Sequence, residues 1–209
     1  MQPEYVLASG NPGKLREMSG MFKPLGLVVR PQSDWQVPDA VEDASTFVEN
    51  ALIKARQAMA VTGLPSIADD SGLVVPALNG EPGIYSARYS GADADAKSNM
   101  AKLLHRLRGK AGESRHAHFF CAMVVVDVMD DPAPLIAIGR WYGTILESPQ
   151  GQGGFGYDPI FGLFEPRGAN RQLSAAELAP EDKARLSHRG KALRELVRQM
   201  KAQDDAFTA

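Results

Sequence analysis

Two long apolar stretches constrain this chain more than any other feature. Residues 116–128 read HAHFFCAMVVVDV and residues 134–146 read PLIAIGRWYGTIL, with only MDDPA between them. β-Branched and aromatic side chains dominate both, so both predict strands, and the short polar link lets them pair as an antiparallel hairpin. The flanking segments mix strand and helix patterns. Tyr5 to Ala8 reads as a buried strand, Gly13 to Phe22 as a helix stopped by Pro24 and Gly26, and LGLVVR as a second strand. Gln32 to Asp43 is polar with two prolines and predicts a loop. Thr46-Phe47-Val48-Glu49 fits a capping box, and the helix after it runs to about Thr62 with Phe47, Ala51, Ala55, Ala58 and Met59 on one face. PSIADDSGLVVPAL predicts strand, acidic turn, strand. Ala94 to Leu107 and Pro180 to about Gln203 predict helices, and residues 204–209 predict a frayed tail. Strands and helices do not strictly alternate, so the expected class is α/β with a mixed sheet.

Composition narrows the partners. The 209 residues suffice for one large domain or two small lobes. Hydrophobic residues make up 44% and charged residues 23%, the balance of an ordinary globular protein. The formal net charge of −2 supplies no global field for nucleic acid or an anionic membrane, so any phosphate binding must be local. The first residues show no secretory pattern, and no stretch approaches the roughly 18 apolar residues of a membrane span. The single cysteine, Cys121, sits in HFFCAMVVV and reads as a buried apolar residue rather than a nucleophile. That usage suits a cytoplasmic protein.

Several short motifs can carry chemistry. VLASGNPGKLREM, Val6 to Met18, breaks a strand sharply and puts Lys14 at the first turn of a helix. Helix amino termini offer backbone N–H groups and partial positive charge to anions. The stretch is not a Walker loop, because Leu15 follows Lys14 and no glycine stands six positions before it. It reads as a phosphate site or as a plain strand-to-helix turn. In ADDSGL, Asp69 and Asp70 are costly neighbours unless solvated, hydrogen-bonded or bound to a cation. Mg²⁺ takes one or two such carboxylates together with substrate phosphates, and a solvated turn is the other reading. Glu42-Asp43 can add a metal ligand, and Lys54 on the following helix can meet a phosphate; both can equally be solvated.

GGFGYDP, Gly153 to Pro159, joins flexible glycines to two aromatics and an acid, a combination that can stack on a nucleobase or form a structural loop. LSHRGKAL places Ser187, His188 and Arg189 in a helical pattern, able to donate to a purine carbonyl or a phosphate or to form a solvated face. A Ser-His-Asp hydrolase does not fit, since no G-x-S-x-G elbow is present. One cysteine and four scattered histidines offer no zinc spacing.

The order of these blocks is itself informative. SGNPGK, an acidic loop with TFVENALIKA, ADDSGL, PGIYSARYSG, GGFGYDP and AAEL…SHRGKAL together resemble the inosine triphosphatase (Ham1-like) family of purine nucleoside triphosphate pyrophosphatases, from about Tyr5 to Met200. The resemblance implies a two-lobed α/β domain spanning 1–209 around a long mixed sheet with flanking helices, a nucleotide cleft between the lobes, and a homodimer. It implies Mg²⁺-dependent cleavage of ITP, dITP and XTP to monophosphate and pyrophosphate, with no nucleic-acid or membrane partner. Carried over by residue, Ser9, Gly10, Asn11, Pro12, Gly13 and Lys14 hold the triphosphate and Lys54 adds a second cation. Glu42 and Asp70 hold the metal, Asp70 is also the base for the attacking water, Asp69 supports it, and Ser71 contacts substrate. Phe155, Gly156, Tyr157 and Asp158 bind the base, with Lys183, His188 and Arg189 as carboxy-terminal partners. Where many members carry Lys or Arg before T-x-AEL, this chain has Leu173, with Arg171 two residues earlier. The segment GLFEPRGANRQ also looks longer than in some relatives. A septum-inhibitor-type pyrophosphatase acting on pyrimidine or modified nucleotides, and a nucleotide sensor without turnover, remain as alternatives.

Overall fold

In a computed structural model of the chain, the described residues are 4–22, 26–164 and 172–208. Pro24, expected to stop the first helix, and Arg171, with most of the 164–173 segment, lie outside them. The elements run β1 (Glu4–Leu7), α1 (Pro12–Phe22), β2 (Val28–Pro31), α2 (Phe47–Thr62), β3 (Ser66–Val74), α3 (Ala96–Arg106), β4 (His116–Val126), β5 (Leu135–Ile145), β6 (Phe161–Leu163), α4 (Pro180–Leu186) and α5 (His188–Thr208). The sheet order is β2-β1-β3-β4-β5-β6. β1 pairs parallel with β2 and with β3, placing Val6 opposite Ser66, while β6 runs antiparallel to β5. The class is therefore α/β with a mixed sheet, and the two apolar stretches are neighbouring strands, as their composition predicts.

The chain packs as two compact units. The first takes the residues up to Asp70, Cys121–Gly139 and those from His188 on. Its strands are apolar on both faces, the pattern of a sheet with helices on each side. Tyr5, Leu7, Ile67, Cys121, Met123 and Val125 pack with Met18 and Phe22 of α1 and with Leu193 and Leu196 of α5. Val6, Ala68, Val124 and Val126, one residue out of step, pack with Ala51, Ala55, Ala58 and Met59 of α2. The small residues of α2 let that helix lie close to the strands. Thr46 caps it by accepting from the Glu49 N–H, while the Glu49 carboxylate accepts from the Thr46 hydroxyl at 2.7 Å. Only half of the expected capping box therefore forms.

The second unit takes Ser71–Phe120 and Arg140–Ser187. Phe119, Trp141 and Phe161 form its aromatic centre, with ring centroids 4.5 Å apart for Phe119–Phe161 and 5.2 Å for Trp141–Phe161. Asp95 caps α3 in a full capping box with Ser98. The buried Arg115 guanidinium donates to the carbonyls of Ile145 (2.6 Å), Leu146 (2.7 Å), Leu107 (3.1 Å) and Lys110 (3.4 Å). One side chain thus satisfies backbone groups from the end of β5 and from the turn after α3.

Two expectations change. ADDSG is not a turn: it lies inside the continuous nine-residue β3. Turn-forming residues stay extended there because partners distant in sequence satisfy the carboxylates, a tertiary override of local propensity. The helix expected over Pro180 to Gln203 is two helices, broken at Ser187, whose extended backbone (φ −66°, ψ 160°) ends α4. Residues 204–208 form the end of α5.

Replacing Arg115 with Met should cost about 2–4 kcal/mol, because buried carbonyls lose their donor. Urea unfolding measures this; an unchanged midpoint would show that Arg115 is not a staple.

Candidate active site

β3 presents Asp69 and Asp70 at successive positions, so their side chains leave opposite faces of the sheet. Asp69 falls in step with Ile67, toward α1 and α5, and Asp70 in step with Ala68, toward α2. Their partners follow that division. Lys14 of α1 lies 3.0 Å from Asp69 Oδ2, and Arg189 of α5 lies 3.4 Å from the same oxygen. Glu17, one turn after Lys14, pairs with Arg189 at 2.5 Å. Asp69 is fully buried and Arg189 is 4% exposed. Removing one partner of such a buried pair strands a charge, at a cost of about 3–5 kcal/mol. Burial pushes the Asp69 carboxyl up, but Lys14, Arg189 and Lys54 together outweigh it and hold it well below the usual carboxylate range. Burial likewise works against the Arg189 cation, and Glu17 and Asp69 more than restore it.

On the α2 face, Lys54 Nζ is 3.0 Å from Glu42 Oε2 and 3.4 Å from Asp70 Oδ1. Asn50 Nδ2 donates to Asp70 Oδ2 at 3.4 Å, and Asn50 Oδ1 accepts from the Ala44 N–H at 3.1 Å. Gln57 donates to the Pro38 carbonyl at 2.5 Å. Asn50, Lys54 and Gln57 stand at i, i+4 and i+7, one stripe of the helix. That stripe laces the loop carrying Glu42 along α2. Burial raises the Asp70 pKa; Lys54 and Lys14 pull it down, and Glu42 and Asp69 push it further up, leaving it raised. Burial lowers that of Lys54, but Asp70, Asp69 and Glu42 reverse the effect and leave it raised too. The two partners shift the same way because the ammonium sees three carboxylates, while Asp70 sees burial and two other acids.

The SGNPGK turn differs from an open anion nest. Asn11 Oδ1 accepts from the Gly13 and Lys14 N–H groups at 2.9 and 3.1 Å, and Pro12 begins α1 with no N–H to offer. The expected exposed amides of the first turn are thus occupied by the asparagine cap, and the turn offers the Lys14 cation instead. Ser9 is buried and accepts from the Asn11 N–H at 3.3 Å. The carboxylate of Asp39 lies over Gly10, where a Cβ would come within 2.7 Å of its Oδ1.

The second unit holds the other predicted residues. Asp158 Oδ2 accepts from the Phe155 N–H at 2.7 Å and from Lys183 Nζ at 2.8 Å. The same ammonium stands 4.9 Å above the centroid of the Phe155 ring. Gly154 has φ +70°, and a Cβ there would run into the Asp158 carboxylate, so the tight loop requires glycine. Tyr157 is buried and donates to the Ser86 carbonyl at 2.9 Å. Asp158 and Lys183 thus satisfy each other and fix Phe155. Gly156 is half-buried, and Ser71, half-buried, follows Asp70 directly. Ser187 and His188 are buried, not on a solvated face.

The predicted residues gather in three groups: Lys14, Asp69 and Arg189; Glu42, Lys54 and Asp70; Phe155, Asp158 and Lys183. Arg189, expected to read the base, is held by the carboxylates of Glu17 and Asp69. Glu17, Asn50 and Gln57 were not expected. Their helical spacing from Lys14 and Lys54 is the signal that could have found them. Among the described residues, no group of three or more His, Cys, Asp or Glu side chains forms a full metal cage. Glu42 and Asp70 nonetheless converge on one cation, Lys54, and two carboxylates suit Mg²⁺, which leaves its other positions to water and phosphate.

Comparison with known proteins places these groups in context. Residues 5–199 match the Ham1 family. The dITP/XTP pyrophosphatase of Thioalkalivibrio sulfidiphilus is 51% identical over 197 residues, covering 94% of this chain and 98% of that protein. That of Vibrio cholerae is 50% identical over 200 residues, with coverage of 96% and 98%. A solved HAM1 protein from Coxiella burnetii superposes with a TM-score of 0.85 at 45% identity, covering 96% of this chain and 100% of that one. A solved dITP/XTP pyrophosphatase from Mycobacterium abscessus gives 0.72 at 43% identity, covering 92% and 97%. A family match over nearly the whole length means that the chain belongs to the Ham1 family.

Proposed function

We propose that this chain hydrolyses dITP, ITP and XTP to the monophosphate and pyrophosphate, with Mg²⁺ as cofactor, and so clears such nucleotides from the cytoplasmic pool. One observation carries the reading: Glu42 and Asp70 converge on a single cation in a chain about half identical to curated dITP/XTP pyrophosphatases. Lys14 and Lys54 offset charge on the triphosphate and on the departing pyrophosphate, the dominant need in this chemistry. Ser9, Gly10, Asn11, Pro12, Gly13 and Ser71 border the phosphates. Glu42 and Asp70 would hold the Mg²⁺, which when bound supplies charge neutralisation and makes water a better nucleophile. Asp70 takes the proton of the attacking water. Asp69, held ionised, keeps Lys14 and Arg189 in place.

Phe155, Gly156 and Tyr157 receive the base, with Asp158 and Lys183 fixing the loop. Hypoxanthine and xanthine carry an acceptor at O6 where adenine carries an amine. A site that donates there leaves an adenine amine unpaired, at about 1–3 kcal/mol. We also propose a homodimer; β5 leaves Ile136, Ile138 and Tyr142 exposed, apolar surface of the kind a second copy covers.

The test is turnover of a panel of dITP, ITP, XTP, GTP, ATP and dTTP with and without Mg²⁺, reading pyrophosphate against orthophosphate. Fast release of pyrophosphate from dITP and XTP is expected, with little from ATP. Orthophosphate as first product, or equal rates on ATP, would contradict the reading. Asp70→Asn should lower the dITP rate by ~10² or more, since a carboxamide takes no proton; a near-normal rate would move the base elsewhere.

A further inference from the structure

Lys54 occupies the position from which Glu42 and Asp70 are both reached. Its Nζ is within 3.0 and 3.4 Å of one oxygen of each, and its side chain is only 11% exposed. A divalent cation held by the same two carboxylates would compete with the ammonium for those oxygens. Like charges at contact distance repel strongly, and more so where water is scarce. The loop carrying Glu42 does not depend on Lys54 alone. Asn50 holds it at Ala44 and Gln57 holds it at Pro38, so the acids stay near each other when the ammonium moves. The flexible stem of lysine permits that move, and a phosphate oxygen is a natural new partner for its ammonium.

We propose that Lys54 is a displaceable occupant of the metal position: its ammonium suppresses binding of a bare divalent cation and yields the two carboxylates only when a phosphate group arrives to receive it. The inference rests on the reading of Glu42 and Asp70 as metal ligands given above. It makes this site selective for metal and phosphate together, and Lys54 changes partner between the empty and the loaded state. Lys14 and Arg189 hold Asp69 separately, on the other face of β3.

The experiment is Mn²⁺ binding to the nucleotide-free protein, read as loss of the free-ion electron paramagnetic resonance signal. Lys54→Met should bind Mn²⁺ at least ~10-fold tighter than the unaltered protein, about 1.4 kcal/mol, whereas Lys54→Arg should bind no tighter. Equal affinity in Lys54→Met and the unaltered protein would overturn the proposal, as would a gain in Lys54→Arg. Lys54→Gln repeats the test should Lys54→Met lose its native circular dichroism. A second measurement needs no variant. In the nuclear magnetic resonance spectrum of the lysine ammonium groups, Mg²⁺ alone should leave the Lys54 signal in place, and adding inorganic pyrophosphate should shift it. A shift with Mg²⁺ alone would overturn the proposal. Turnover of dITP is scored separately, so a protein that fails to hydrolyse it refutes the proposed function without deciding the metal exchange.

Discussion

A β-strand turns successive side chains to opposite faces, and in this chain that rule acts on two carboxylates in a row. Were Asp69 and Asp70 on one face, they would repel each other in a site with little water. On opposite faces, each is met by a different helix. Lys14 and Arg189 close on Asp69 from α1 and α5, and Lys54 and Asn50 close on Asp70 from α2. The packing of the first unit rests on the same alternation, because Ile67 and Ala68 lead into the two cores that those helices complete. The strand that orders the core therefore also assigns each acid its electrostatic surroundings.

The assignments are unequal, and the inequality is the basis of the proposed chemistry. Asp69 gains more from its cations than burial costs it, and stays ionised. It acts as an anchor that holds two helices by their cations. Asp70 is left with a burial penalty that its neighbours do not remove, so its proton affinity is raised. A carboxylate in that state is a poor stabiliser and a good proton acceptor. Lys54 sits between the roles, held by Asp70 and by a loop carboxylate that α2 laces into place.

Much of the fold was legible because it depends on local pattern. The long runs at 116–128 and 134–146 read as strands and form β4 and β5, and the alanine face of α2 marked a helix that packs closely. ADDSG was misread because its residues favour turns, and the cations that keep it extended come from positions 14, 54 and 189. No local window contains them. SGNPGK suggested exposed amides, yet Asn11 itself supplies their acceptor, a cap that spacing alone would have allowed. Candidate site residues were recognisable through the order of the family's blocks. Asn50, Gln57 and Glu17 were not, since an amide or an acid on a helix reads as solvated until its partner from elsewhere in the chain is known.

Asp69 and Asp70 play opposite parts in stability, and urea unfolding of Asp69→Asn and Asp70→Asn at pH 7 separates them. The Asp69 pKa is depressed in the folded state, so its ionised form stabilises the fold above the ordinary value of 3.8, and that contribution is lost as pH falls through the folded value. The Asp70 pKa is raised, so its ionised form weighs against the fold at neutral pH. The midpoint should fall clearly for Asp69→Asn and should hold or rise for Asp70→Asn. A fall of similar size in both variants would contradict the division of labour between the two faces of β3.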